Sequence, residues 1–274
     1  MTEQQARNWI PDEVDTSVPS MARTYDYLLG GAHNFAVDRM VAEQAEKVMP
    51  GASKIARLNR AFLGRAVRYL VERGVHQFLD IGSGIPTVGN VHVVAQQANP
   101  EARVLYVDKD PIAVAHSELM LSGNDRAGVL RADMRDPESI LASSQARQLL
   151  DFSQPIALLL VFMVHWLPDS EDPWSLIAHY RDALPRDSYL ALTHATYEQR
   201  ADQVGEIKDM IRESRSVDQI TPRPYDDVLR MFDGFELVEP GLVGCGVWNP
   251  QGPGDIADEP EMNAHAYAGV GLKV

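Results

Sequence analysis

Cysteine is all but missing. Cys245 stands alone among 274 residues, which excludes an intrachain disulfide. No Cys/His group has the spacing of a zinc site. Basic residues are outnumbered, 25 against 39 acidic ones, and the formal net charge is −14. Such a surface repels a phosphate backbone, which disfavours a nucleic-acid partner. Long apolar runs are absent as well. The longest, IALLLVFMV at 156–164, is far too short to cross a bilayer. The N-terminal stretch MTEQQARNWIPDEVD is polar and acidic and has no signal-peptide core. These absences predict a cytoplasmic protein with no membrane partner.

What is present is enough apolar sequence, 45%, for a proper core. Residues 1–19 read as a polar tail, with Trp9 and Ile10 as a possible anchor. From Ser20, a candidate N-cap, to Gly74 the pattern is helical. Gly30-Gly31 stops a first helix, a second fits 36–48, and a third fits 53–73 with Ile55, Leu58, Phe62, Val67 and Leu70 near one face. Short β-type runs then alternate with helical stretches. Strands are expected at 77–81, 103–107, 128–131, 156–161 and 189–193. Helices are expected near 87–97, 111–121, 137–149 and 173–183. That order implies parallel crossovers and a sheet covered on both faces. A long helix near 197–215 and a shorter one after Pro224 follow. The tail differs: 235–239, 241–248 and 266–274 are strand-like, and the last two are joined by a Pro-, Gly- and acid-rich loop containing GDIADEPE. This predicts an antiparallel pairing at one edge of a mainly parallel, doubly wound α/β sheet.

The chemistry concentrates in QFLDIGSGIPT and VLYVDKD. In doubly wound sheets the ligand lies outside the carboxyl ends of the strands, where strand order reverses. Gly82 and Gly84 would let backbone approach a ligand closely, and the turn feeds a helix N-terminus. Asp108, at the tip of the next strand, can accept both hydroxyls of a ribose. The site therefore reads as one for a nucleoside. A dinucleotide is disfavoured, because Thr87 stands where the G-x-G-x-x-G fingerprint needs its third glycine. Asp80 would repel a diphosphate, and the Asp108–Asp110 pair would repel a 2′-phosphate. Asp80 is better placed to orient the turn and a cationic amino-acid group.

FLDIGSGIPT, VLYVDKDP and RADMRDP resemble the class I S-adenosylmethionine-dependent methyltransferases. The blocks ARTYDYLLGGAHNFAVDR and VFMVHWLPDSEDP are similar to an actinobacterial, DUF574-like family of S-adenosyl methyltransferases whose substrates are generally unassigned. The similarity runs from about Val18 to the C-terminus. It implies a Rossmann-like, seven-stranded sheet (residues 75–274) behind an N-terminal helical cover (20–74), with S-adenosylmethionine as cofactor. By the resemblance, Asp80, Gly82, Ser83 and Gly84 surround the methionine part. Asp108 holds the ribose, Asp133 faces the adenine amino group, and the backbone of Met134 lies against the ring. Pro86 departs from the pattern, since many members carry a third glycine there.

Methyl transfer from a sulfonium needs a positioned acceptor and excluded water, and a base only when the nucleophile begins protonated. His165, after the fourth strand, is the candidate base or acceptor contact. Tyr25, Tyr27, His33, Asn34 and Asp38 form a second group, a lid that could pivot at Gly30-Gly31. Tyr25 and Tyr27 point in different directions on one helix, so only one is expected to face the site. His194 and Trp248 are candidates of lower rank, and Arg131 and Arg135 are expected to pair with surface acids. The enclosed site favours a small-molecule acceptor. The rival readings are an S-adenosylmethionine sensor without catalysis and an NAD-dependent oxidoreductase.

Overall fold

A computed structural model of the chain describes residues 14–87, 89–196, 198, 201–214, 216, 218–252 and 260–274. Trp9, Ile10, Tyr197, Arg215 and most of the acidic loop lie outside them. The first helices are α1 (Met21–Leu28), α2 (Ala36–Val48) and α3 (Ala52–Glu72). Ser20 occupies the N-cap position of α1, but its hydroxyl donates to Asp110 Oδ2 rather than capping its own helix. Gly74 ends α3 in a left-handed turn (φ 83°). Its N–H bonds Val71 O and that of Val75 bonds Leu70 O, so both orphan carbonyls are satisfied by a Schellman turn.

β1 (Gln77–Ile81), α4 (Val91–Ala98), β2 (Arg103–Asp108), α5 (Pro111–Met120) and β3 (Ala127–Arg131) follow. The helical stretch expected over 137–149 is two short helices, α6 (Pro137–Leu141) and α7 (Ser144–Leu149). The hydroxyl of Ser143 accepts the Ala146 N–H and starts a new helix there. Then come β4 (Ala157–Val161), α8 (Pro173–Ala183), β5 (Tyr189–Ala195), α9 (Ala201–Glu213), α10 (Tyr225–Leu229), β6 (Phe235–Leu237), β7 (Val243–Gly244) and β8 (Ala266–Lys273).

The strand order is β3-β2-β1-β4-β5-β8-β6, with β7 paired to β8 outside that path. Pairings among β1 to β5 are parallel, and β8 runs antiparallel to β5, β6 and β7. Seven strands form the path, the number the resemblance implies, and β7, from the expected 241–248 run, is an eighth beside it. β7 is far shorter than the 241–248 run. The carbonyls of Cys245 and Trp248 are taken by the Arg65 guanidinium, at 2.5 and 2.8 Å, instead of by a neighbouring strand. Trp248 itself is wholly buried against Phe62 and Tyr69.

Alternate residues of each strand enter opposite cores, as pleating requires. Phe78 and Val104 join Phe62, Ala66 and Leu70 of α3 on one face. Leu79 and Leu105 join Ile140, Ile177 and Tyr180 on the other. α3 is therefore a core element laid on the sheet. α1 and α2 instead reach over the carboxyl ends of β4 and β5, and α9 packs against α2.

Candidate functional site

Strand order reverses at β1, which has β2 on one side and β4 on the other, so a crevice opens at their carboxyl ends. The turn after β1 is tied to β2, because the N–H groups of Gly82 and Ser83 both donate to Val107 O, at 2.7 and 3.2 Å. Gly82 has φ 72°, and a Cβ there would lie 2.0 Å from Met163 Sδ, so Met163 rests directly on bare backbone. The Gly84 N–H donates to Asp108 Oδ2 at 2.7 Å and the Asp110 N–H to Oδ1 at 2.9 Å. Glycine turn and strand-end carboxylate are thus one unit. Burial pushes the Asp108 carboxyl up to about 6, against those two N–H groups and Lys109 and with some help from Asp110.

Asp80 and Ser83 face a small hollow of about 220 Å³ with Arg60, Gly84, Asn90 and Tyr106. Burial pushes Asp80 up to about 7; Arg60 pulls the other way, while Asp108 adds to the rise. Ser83 Oγ and Arg60 Nε are buried without a partner among the described residues. A second Arg60 nitrogen donates to Asn90 Oδ1 at 2.7 Å. Arg60 carries no spacing signature on α3, and only the fold brings it to the glycine turn.

Asp133 is gripped by Arg135 through two bonds of 2.9 and 2.6 Å, which hold its carboxyl below the usual range. The Met134 side chain is in the core, and its carbonyl accepts the Tyr180 hydroxyl at 2.7 Å. This segment follows β3, two strands from β1.

A second, larger cavity lies under α1 and α2. It encloses about 1050 Å³, its open mouth included, and is lined among others by Met21, Tyr25, Val41, Phe162, His165 and Met210. Phe162 holds a left-handed backbone (φ 56°), a conformation that costs about 1–3 kcal/mol and gathers at functional sites. Its N–H donates to Thr193 Oγ1 (2.8 Å), which donates to Asn59 Oδ1 (2.6 Å). Asn59 in turn donates to the Tyr25 hydroxyl (2.9 Å), and that hydroxyl donates to Ala56 O (3.0 Å). The chain fixes four elements around the cavity. Burial also pushes the Tyr25 phenol up to about 12, so Tyr25 presents a neutral ring.

His165 is buried among Phe162, Trp166 and His194, with ring centroids 5.1, 4.8 and 5.6 Å away. Its Nδ1 has no partner among the described residues. Burial, then His194 and Arg223, hold its imidazole well below the ordinary value, so the ring is neutral. His194 is neutral too, pushed down to about 3 chiefly by burial. Its Nδ1 lies 2.7 Å from Ala195 O and its Nε2 lies 3.0 Å from an Arg223 nitrogen, which fixes the ring proton on Nδ1.

Of the other expected lid residues, Tyr27 is turned away, its hydroxyl 3.3 Å from Glu43 Oε1. Asn34 bonds Asp26 Oδ2 and Gly31 O and shapes the turn between α1 and α2 without lining the cavity. Asp38 accepts from Ser20 N, Arg23 Nε and Phe35 N, and the His33 ring lies 4.0 Å from that of His116.

Comparison with known proteins agrees with this geometry. Residues 7–274 match the family described as S-adenosyl methyltransferase. No curated protein matches the sequence. The chain is similar to a candidate methyltransferase of Thermobifida fusca YX, at 40% identity over 97% of this chain and 99% of that one, with a TM-score of 0.89. It is similar also to a DUF574 family protein of Streptomyces avermitilis MA-4680, at 34% identity, 95% and 99% coverage and a TM-score of 0.90. The mitomycin 7-O-methyltransferase MmcR, at 14% identity, 98% and 75% coverage and a TM-score of 0.51, shares the fold alone. Glycine turn, strand-end carboxylate, helical cover and a match along nearly the whole chain converge, and the chain belongs to the DUF574-like family of class I S-adenosylmethionine-dependent methyltransferases.

Proposed function

We propose that this enzyme methylates a small molecule held in the apolar cavity beneath α1 and α2, by in-line displacement on S-adenosylmethionine. One observation carries the reading. Two unlike hollows are linked through the glycine turn: Phe162 lines the apolar cavity, and the next residue, Met163, lies on Gly82 between Asp80 and Ser83, which line the polar hollow.

The polar hollow suits the amino-acid end of an amino-acid nucleoside. Asp80 would take the ammonium and Arg60 the carboxylate, which would satisfy its unpartnered Nε. Ser83 Oγ is a further unpartnered group for the same end. Asp108 would accept the ribose hydroxyls, because each of its oxygens keeps lone pairs beyond the one N–H it already accepts. Asp133 and the backbone of Met134 would meet the adenine, with Arg135 holding the Asp133 carboxylate in place. The cofactor's sulfonium supplies a methyl group that needs no further activation. The cover and the partly buried ring of Phe162 exclude water, and His165 contacts the acceptor.

Isothermal titration with S-adenosylhomocysteine tests the cofactor site. Asp108→Ala loses charge-assisted hydrogen bonds worth roughly 1.5–3 kcal/mol each, so affinity is expected to fall at least about tenfold. Unchanged affinity would take the ribose away from Asp108. Tight binding of NADH with no response to S-adenosylhomocysteine would overturn the reading itself.

A further inference from the structure

The acceptor's chemistry is narrowed by the cavity walls. Among the described residues, no lysine, arginine, aspartate or glutamate lines it. A carboxylate or ammonium on the acceptor would lose its water there and find no counter-charge. Among the described residues five rings line the space, those of Tyr25, Phe162, His165, Trp166 and His265, and they suit a flat apolar body. Two lining residues carry buried polar atoms without a partner, Thr24 Oγ1 and His165 Nδ1. The Tyr25 hydroxyl is already satisfied by Ala56 and Asn59. A neutral imidazole with its ring proton on Nε2 can accept one hydrogen bond at Nδ1.

We infer that the acceptor is a neutral, apolar phenol whose hydroxyl donates to His165 Nδ1 and is methylated on oxygen. The inference rests on the methyltransferase reading above. In the step, a lone pair of the phenol oxygen forms the O–C bond while the C–S bond breaks and its electron pair stays on sulfur. The hydroxyl proton passes to Nδ1, and the O–H pair remains on oxygen. Positive charge leaves the sulfur as it arrives on the imidazole, so the buried site holds the same net charge before and after. The proton reaches water when the product departs. An aliphatic alcohol fits less well. His165 faces His194 on β5 and the Arg223 guanidinium, which is paired to Asp169, and in that setting it takes a proton far more readily from a phenol.

The test uses the full chain, S-adenosylmethionine labelled on its methyl group, and five matched probes: 4-butylphenol, 4-butylaniline, 4-butylcyclohexanol, 4-butylbenzoate and 4-butylbenzylamine. Transfer to 4-butylphenol is expected to exceed transfer to each of the others by about tenfold or more. Preference for the aniline, the benzoate, the benzylamine or the cyclohexanol would overturn the inference. So would S-adenosylhomocysteine binding normally while no probe is methylated or alters Trp166 fluorescence, with Trp166→Phe as the control; the methyltransferase reading would then stand. Failure of S-adenosylhomocysteine to bind would bring down both. His165→Gln keeps a hydrogen-bond acceptor but cannot take the proton, so kcat should fall by roughly a hundredfold with KM and S-adenosylhomocysteine affinity little changed. A structural role would move stability, KM and cofactor affinity together. Thr24→Val should raise KM for 4-butylphenol and spare kcat, and an unaltered kcat in His165→Gln would remove the proton from His165.

Discussion

Burial acts on Asp80 more strongly than either of its charged neighbours, Arg60 and Asp108. Its carboxyl is pushed up to about 7 in the folded chain, from an ordinary 3.8. A group whose folded pKa lies above its unfolded one gives its full stabilisation below the unfolded value and loses it as pH rises through the folded value. Above pH 7 the cofactor-free protein therefore carries an ionised, buried Asp80 at a cost on the order of 4 kcal/mol. The buried histidines work in the opposite direction at low pH, so the comparison belongs between variants. The advantage of Asp80→Asn over the parent protein in urea unfolding should be smallest near pH 4, grow as pH rises, and level off above about pH 7. The parent should also release a proton on binding S-adenosylhomocysteine near pH 6.5, because the ligand's ammonium restores the charge on Asp80. Titrations in buffers of different ionisation enthalpy would read that release, and Asp80→Asn should lack it. Equal release by both proteins would assign the proton elsewhere. Asp80 and Asp108 were legible in the sequence because strand ends and a glycine turn mark their positions. Arg60, Thr24 and Asn59 were not, since helical periodicity places a residue on a face but does not say what that face meets.

At the scale of elements, α1 depends heavily on its surroundings. Its eight residues are too few to be helical alone. It is held by Arg23, whose Nε lies 2.9 Å from Asp38 Oδ2 on α2 and whose other nitrogens reach Val18 O and Asp110. That arginine is buried, so removing it leaves the Asp38 carboxylate without its guanidinium partner in a dry site. Arg23→Ala is expected to cost roughly 3–5 kcal/mol in urea unfolding. Early proteolytic cleavage should concentrate in α1 and α2, ahead of the core helix α3. An unchanged midpoint would mean that α1 is held by its apolar face alone. The strands and most helices were readable from period and spacing, most bounds within a residue or two, though α4 begins at Val91, four residues later than expected. Two departures had causes that lie outside local pattern. The 137–149 helix breaks where Ser143 caps a second start. The 241–248 strand shrinks because Arg65, distant in sequence, captures its carbonyls.

Over the whole molecule, the charge of −14 acts on whatever approaches the crevice. S-adenosylmethionine, a zwitterion with an added sulfonium, carries one net positive charge, and S-adenosylhomocysteine carries none. A negative protein therefore draws the donor in and has no such hold on the product left after the methyl group has gone. The bias favours exchange of product for donor without any specific contact. It is a field effect, so salt should erase it. Stopped-flow binding followed by tryptophan fluorescence should show the association rate of S-adenosylmethionine falling several-fold as sodium chloride rises from about 20 mM to about 500 mM. The rate for S-adenosylhomocysteine should stay nearly flat over the same range. Asp80→Asn removes one nearby charge and should shorten the salt dependence only slightly, because the remaining acids set the field. If the two ligands showed the same salt response, the steering would not come from net charge, and the preference for donor over product would have to be sought in the contacts of the glycine turn itself.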